Sequence, residues 1–408
     1  MGDILFLAHR VPFPPNRGDK IRSANLLRKL ATIGPVHVGC FAENEEDRAG
    51  AAELAELAAS HSVVDRTKPL VLAGVEAVLA GKPVSLTAFH STRLDDWVRE
   101  TIAARDISTI VIFSGQMGQY VPASFGGRVI IDLCDVDSAK FGNYAANGQR
   151  VWLNRREERL LACEEERLAH RADATVLISA EEAQLFLSRL QEPSKAHVQV
   201  IGNGIDSRFF DPAVITPHAE ITARPGPHFV FTGQMDYPPN EAAALWTVDH
   251  FLPEIRASYP DAEFHVVGRN PTRRLLAREG TPGLTVWGEV PDVRPFLAAA
   301  SCVAAPLQIA RGIQNKVLEA MAMARPVMAT PQAATGIYAK DGLHWLVSES
   351  EPSGMVGRLE VILTDPEAAE KMGKEARQFV VDQYTWEAML SPLDALVRSE
   401  EQEARDAA

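Results

Sequence analysis

Residues 302–330 read CVAAPLQIARGIQNKVLEAMAMARPVMAT. An apolar run, CVAAP, leads through a loop, LQIARG, into a helical pattern, IQNKVLEAMAMA, and a second apolar run, PVMAT, follows. Val317, Leu318, Met321 and Ala322 recur on one side of that helix, as a face packed on a sheet requires. Strand, helix and strand in this order form a parallel crossover unit. Three polar residues, Arg311, Lys316 and Glu319, gather where the helix begins.

Working outward, the same alternation fills the chain. The runs ILFLA, VHVGCF, TIVIFS, RVIIDL, ATVLIS and HVQVIG occupy the first half, with helical patterns at about 19–32, 45–59, 92–104, 150–170 and 180–190. These runs are too apolar to be half exposed, so helices must cover both faces of a parallel sheet. A second series follows in HFVFTG, EFHVVG, LTVWGEV, CVAAP and PVMAT, with helices at about 240–257, 272–280 and 292–300. Between the series, residues 203–228 carry Pro212, Pro217, Pro225 and Pro227 without a sustained apolar period and read as a linker. Further helical patterns lie at about 352–364, 366–382 and 386–403, the last ending in a solvated tail, RSEEQEARDAA. The expectation is two doubly wound α/β domains in tandem, which suits 408 residues.

Composition excludes several classes. Hydrophobic residues make up 46% and charged residues 23%, the balance of a globular protein. No run approaches the roughly 20 apolar residues of a membrane span, and ILFL behind an acidic residue reads as a strand instead of a signal peptide. Cys40, Cys134, Cys163 and Cys302 show no metal-ligand or disulfide spacing, which fits a reducing cytoplasm. A net charge of −13 argues against general nucleic-acid binding. Residues 1–30 nevertheless hold Arg10, Arg17, Lys20, Arg22, Arg28 and Lys29 against Asp3 and Asp19. This cluster has two readings: a solvated helix face, or an attraction for a phosphorylated acceptor or an anionic membrane surface, with Arg17, Lys20 and Arg22 as the acceptor-side candidates.

In open parallel sheets, ligands bind beyond the carboxyl ends of the strands, and two such domains facing one another would leave a cleft there. Four strand-to-helix turns therefore hold the candidates. The first contains Gly18, which either permits the turn or lets backbone N–H groups approach an anion. The second, VIGNGIDSRFFDP, brings Gly202, Asn203 and Gly204 to a hinge that could also touch ligand, with Phe209 and Phe210 as plugs of the joint. In the third, Gly233 ends a strand and Asn240 is placed to cap the next helix. The fourth is the opening stretch. Lys316 opposes the dipole at its helix start, which is explained if an anion arrives; Glu319, three residues on, would accept hydrogen bonds from sugar hydroxyls. The competing reading is a surface Lys–Glu ion pair worth under about 1 kcal/mol.

VLISAEEAQLF, VIGNGIDSRFFDP, FTGQMDYPPN, EFHVVGRNP, VWGEVPDVRPFLAAA and APLQIARGIQNKVLEAMAMARPV, in this order, resemble glycosyltransferase family 4, the retaining nucleotide-sugar transferases of the GT-B fold. MDYPPN, ARGIQNKVLEAMA and DLCDVDS resemble more narrowly the sugar transferases of exosortase-linked exopolysaccharide loci. The resemblance implies two Rossmann-like domains, an acceptor-side one at 1–202 and a nucleotide-sugar-binding one at 229–382, joined at 203–228, with a helix in 383–408 returning to the first. It implies that Gly18 and Gly233 line the donor diphosphate, that Lys316 contacts it, that Glu319 holds the ribose and that Gly312 lets the backbone approach the transferred sugar. It further implies transfer of a hexose to a saccharide, lipid-linked acceptor at the inner membrane face, with no cofactor beyond the donor.

The departures are informative. Many members carry Glu-x7-Glu, but the first position here is Arg311, which cannot act as a base but can clamp a diphosphate. Gln234 follows Gly233 where a base is usual, so Arg311 and Lys316 are expected to replace that charge without a metal ion. Cys134 stands at a His position, and Asp135 becomes the candidate for contact with the sugar or acceptor hydroxyl, a helix cap being its other reading. The catalytic candidates are thus Asp135, Arg311 and Lys316. A nucleotide-sugar epimerase of the same fold and a non-catalytic sugar-nucleotide-binding protein are the rival readings.

Overall fold

A computed structural model of the protein describes residues 2–310 and 312–398. The chain divides into two compact units. Residues 2–203 and 389–398 form the first, and Gly204–Ala388 the second.

The first unit is built on seven parallel strands: β1 (Asp3–Ala8), β2 (Val36–Ala42), β3 (Ser60–Asp65), β4 (Ile107–Phe113), β5 (Arg128–Cys134), β6 (Ala174–Leu177) and β7 (Val198–Val200). Their order is β3-β2-β1-β4-β5-β6-β7, so the winding reverses between β1 and β4. β1 and β2 are buried almost throughout, the burial on both faces that their unbroken apolar runs demand. On one face Leu5, Leu7, Ile110, Ile112, Val129 and Ile131 pack under Leu94, Val98, Leu168 and Phe186 from three helices. The helical pattern expected over 45–59 is two helices, Glu45–Ala49 and Ala51–Leu57. They part at Gly50, where a Cβ would meet the carbonyl oxygen of Phe13 at 2.1 Å.

The second unit carries six parallel strands: β8 (His228–Thr232), β9 (Glu263–Val267), β10 (Leu284–Gly288), β11 (Cys302–Ala305), β12 (Val327–Ala329) and β13 (Leu346–Val347). They run in the order β10-β9-β8-β11-β12-β13, reversing between β8 and β11. Residues 204–227, read from sequence as a linker, pack on this unit. The His218 ring stacks on Phe296 at 4.3 Å, the Arg294 guanidinium lies 3.7 Å from the Phe209 ring centre, and Arg377 donates to the Phe210 carbonyl at 2.7 Å. The two phenylalanines thus engage arginines of their own unit.

The last helical pattern is broken by Pro392 into Trp386–Met389 and Pro392–Val397, and Lys29 Nζ reaches Asp394 at 2.6 Å within the first unit. Most of the expected solvated tail, residues 399–408, lies outside the described residues, as does Arg311. No described helix is long and apolar enough to cross a membrane.

Candidate functional site

In the second unit the topological reversal puts the loops after β8 and β11 side by side, the place where an open parallel sheet binds its ligand. Gly233, directly after β8, has φ 154°, and a Cβ there would lie 2.9 Å from both Lys316 Nζ and Asn240 Nδ2. Gly268, directly after β9, has φ 149°, and its Cβ would fall 1.7 Å from the Gly233 carbonyl oxygen. Two glycines are therefore needed for these backbones to meet and for the lysine to come in over the strand end.

Lys316 lies in the first turn of the helix Asn315–Ala322, which has no acidic residue in that turn. Its Nζ donates to Asn240 Oδ1 at 2.6 Å and sits 4.4 Å from the Phe231 ring centre. Asn240, expected as a helix cap, lies inside the helix Pro238–Trp246; its Oδ1 takes the lysine and its Nδ2 donates to the Gln234 carbonyl at 2.9 Å. Burial lowers the Lys316 pKa to about 8, with Glu319 opposing the shift. Burial likewise raises the Glu319 pKa, with Lys316 opposing. Lys316 and Glu319 form no ion pair, and the Glu319 carboxylate has no hydrogen-bond partner among the described residues. The surface ion pair read as an alternative is therefore not what the helix start contains. Gly312 adopts φ 62°, and a Cβ there would meet nothing within 4 Å. Across the β8 loop, Arg269 donates to Gln234 Oε1 at 2.7 Å, bringing a base beside the position where sequence reading found none.

The first unit sorts its candidates differently. Gly18 is the first residue of the helix Gly18–Ile33 and is exposed, and a Cβ there would meet nothing within 4 Å. Its φ is not positive, so the turn itself does not require glycine. Arg17 is exposed and tied to Asp19 at 2.8 Å. Asp19 is the hub of this turn: burial opposes its charge, but hydrogen bonds from His9, Arg17 and Arg10 hold its carboxyl far below the usual range. Lys20 and Arg22, expected on the acceptor side, are buried. Lys20 Nζ pairs with Asp47 at 2.8 Å. Arg22 pairs with Asp132 at 2.7 Å and donates to Ile201 O, Gly202 O and Asn203 Oδ1. A guanidinium with that many partners has no donor left for an acceptor, so Arg22 ties the first helix to the ends of β5 and β7. Asn203 is committed to the same tie through its Oδ1.

Asp135 follows Cys134, whose φ is 63° and whose thiol is pushed up by burial and by Asp132. The next helix, Asp137–Ala146, has Val136 at its N-cap, and the Val136 N–H is satisfied by Glu182. Asp135 therefore does not cap it, and its half-buried carboxylate has no partner among the described residues. Asp135-Val136-Asp137 is an Asp-x-Asp; its second carboxylate is held by Lys140 at 2.9 Å.

Among the described residues one group could hold a metal ion: His228, Glu263 and His265, whose ligand atoms lie within 4.8 Å of one another at the starts of β8 and β9 and within β9. The Trp287 indole N–H donates to His265 Nδ1 at 3.2 Å, so that nitrogen carries no proton. His265 Nε2 then donates to His228 Nδ1, and His228 Nε2 to the Arg224 carbonyl. Both rings are satisfied without a metal, and the tautomer is the wrong one for ligation through His265 Nε2. The group is also at the opposite end of the strands from Gly233 and Lys316.

Residues 226–365 match the family described as Glycosyl transferases group 1. Alpha-maltose-1-phosphate synthase of Mycolicibacterium smegmatis is 24% identical over 234 residues, 53% of this chain. The chain spans 60% of that relative's length. Sucrose-phosphate synthase from Thermosynechococcus elongatus superposes with a TM-score of 0.59 at 17% identity, covering 100% of both chains. HepE of Anabaena, solved in complex with UDP, superposes with a TM-score of 0.60 at 14% identity, again over 100% of both.

Proposed function

We propose, from the premise that residues 226–365 form a Glycosyl transferases group 1 domain in a chain of the GT-B fold, that the protein transfers a hexose from a nucleoside-diphosphate sugar to a saccharide acceptor, with retention at the anomeric carbon. One observation carries the reading. A single short helix holds a half-buried lysine without an ion pair and, three residues on, a half-buried carboxylate without a donor.

The chemistry follows from that pair. Departure of the diphosphate develops negative charge on its oxygens, and Lys316 with the free N–H groups of its helix start stabilises that charge more as it grows. Arg311, three residues before Gln314, is assigned as the second cation. Glu319 accepts hydrogen bonds from the ribose hydroxyls, and the left-handed turn at Gly312 lets backbone approach the transferred sugar. These cations serve in place of a divalent metal. Asp135 is assigned to the sugar or acceptor hydroxyl. The acceptor is assigned as a lipid-linked glycan of exopolysaccharide or cell-surface assembly.

The test is a binding screen of UDP-, GDP- and TDP-sugars, followed by transfer assays with and without EDTA. UDP comes first because HepE was solved with it. Binding lost in Lys316→Ala and turnover unchanged by EDTA are the expected results. Failure of every nucleotide to bind would overturn the reading.

A further inference from the structure

Residues 66–82, RTKPLVLAGVEAVLAGK, contain the helix Leu70–Ala80, which is turned inside out relative to an ordinary surface helix. Its buried residues are the small ones, Ala73 and Ala77, both 0% exposed and four apart on one face. Its large residues point to solvent: Leu70, Val71, Leu72, Val75, Val78 and Leu79 are 50–83% exposed. Val71, Val75 and Val78 line up along the face opposite the alanines, with Leu72 and Leu79 beside them. Its one acid, Glu76, is held by Lys68 at 2.7 Å. Apolar residues scattered singly on a surface need no explanation, but a continuous face of this size marks an interaction site.

The surface does not end with the helix. Arg156 Nη2 donates to the Ala77 carbonyl at 2.7 Å and the Lys82 carbonyl at 3.0 Å, fixing the end of this helix against the start of the helix Val151–Arg171. One turn before Arg156, and on its face, Trp152 is 71% exposed. Around it Lys82, Arg150, Arg155 and Arg159 are exposed and make no ion pair among the described residues. The first unit thus presents an apolar ridge with an exposed indole, bordered by four unneutralised cations, on a chain whose net charge is −13.

We propose that this face docks on an anionic lipid surface, the ridge entering the headgroup boundary with Trp152 while Lys82, Arg150, Arg155 and Arg159 meet lipid phosphates. The chemistry is that of in-plane helices, where apolar area and attraction to anionic headgroups add, and tryptophan favours the same interface. A second copy is the poorer occupant. A two-fold contact would set the same cations against themselves, which is repulsive. The basic residues 1–30 are not this surface, since Lys20 and Arg22 are buried in ion pairs. The inference stands apart from the donor reading.

The experiment is flotation of the full chain with phosphatidylcholine vesicles and with mixed phosphatidylcholine–phosphatidylglycerol vesicles. The wild type should float with the mixed vesicles at low salt, and far less with the neutral ones. Val71→Glu with Leu79→Glu should weaken that binding by roughly tenfold or more, and Arg155→Glu with Arg159→Glu should remove the preference for anionic lipid. UDP binding and thermal unfolding of each variant show that it has folded. Wild type that floats with neither vesicle overturns the inference. So does a Val71→Glu, Leu79→Glu variant that floats like wild type, or one whose only change is loss of self-association in sedimentation. A chain that floats but binds no nucleotide refutes the transfer reading alone.

Discussion

Lys316 should make nucleotide affinity fall in alkaline solution, and the size of the fall follows from its surroundings. Burial lowers its pKa to about 8 against the opposing charge of Glu319, and Asn240, its hydrogen-bond partner, is neutral, so a bound anion would raise it. If the protonated amine is the form that holds the diphosphate, affinity is constant well below pH 8 and drops as pH rises through it. Taking the protonated fraction at each pH, binding at pH 9 is about tenfold weaker than at pH 7, or about 1.4 kcal/mol. Calorimetric titration of UDP across this range reads the change. Lys316→Arg, whose charge does not titrate, should bind more weakly at pH 7 but with a flatter profile, and comparison with it cancels the titration of UDP itself. Lys316→Met should lose roughly 1.5–3 kcal/mol of affinity, the range for a hydrogen bond to a charged group. The same depressed pKa means that the cation opposes folding below about pH 8. The unfolded chain holds that proton up to about pH 10.4, so stability attributable to this site rises with pH between the two values. Lys316→Met should therefore unfold at a higher temperature than wild type at pH 7 while binding UDP more weakly. A wild-type affinity that is flat from pH 7 to 9, or a Lys316→Arg profile that falls as steeply, would refute the argument.

Three further outcomes follow from the same geometry. Glu319→Gln should weaken UDP by about tenfold or more yet leave inorganic pyrophosphate binding unchanged if, as proposed, its carboxylate holds the ribose and not the phosphates; competition titration separates the two. Arg22→Met should lower stability by about 3–5 kcal/mol, since it strands Asp132 in the interior, and Asp132→Asn in the same chain should recover part of it; an acceptor-binding arginine would leave urea unfolding untouched. His265, neutral in the fold because burial lowers its pKa to about 3, binds its proton only on unfolding between that value and about pH 6.5. Acidification over this window should cost at most about 1.4 kcal/mol per pH unit, and His265→Gln should flatten the urea midpoint against pH.

What was legible in the sequence was whatever is buried on both faces. The apolar runs of β1, β2, β4, β5 and β8 were found because a parallel strand buried on both faces is apolar over most of its length. β3 was missed because it is an edge strand, SHSVVD, with one fully buried residue among its six, so its pattern is that of a loop. β13 is two residues long and leaves no period to read. The helix Leu70–Ala80 was missed for the opposite reason. Its apolar residues face outward and its small ones inward, so the usual rule assigns it the wrong face. The three-residue spacing of Lys316 and Glu319 put them on neighbouring positions of one helix, and the structure keeps both there half-buried. Asn240 was misread as a cap, because a sequence does not say that a lysine from 76 positions away will need its oxygen.

Three cations placed at helix starts by the same sequence logic meet different ends, and the difference is the argument for function. Lys20 and Arg22 are carried into the interior of the first unit, and each meets a carboxylate within 2.8 Å, so their charge is consumed by the fold. Lys316 is half-buried and meets an amide, and burial lowers its pKa although Glu319 opposes the shift. A fold under selection for stability alone would replace such a lysine with methionine, which fills the same space without desolvating a charge. Keeping it, beside Gly233 whose missing Cβ makes room for it, is explained by a ligand that arrives later and supplies the negative charge. On the function proposed, that anion is a diphosphate, held by the lysine and the helix start with the carboxylate one turn further on for the attached ribose.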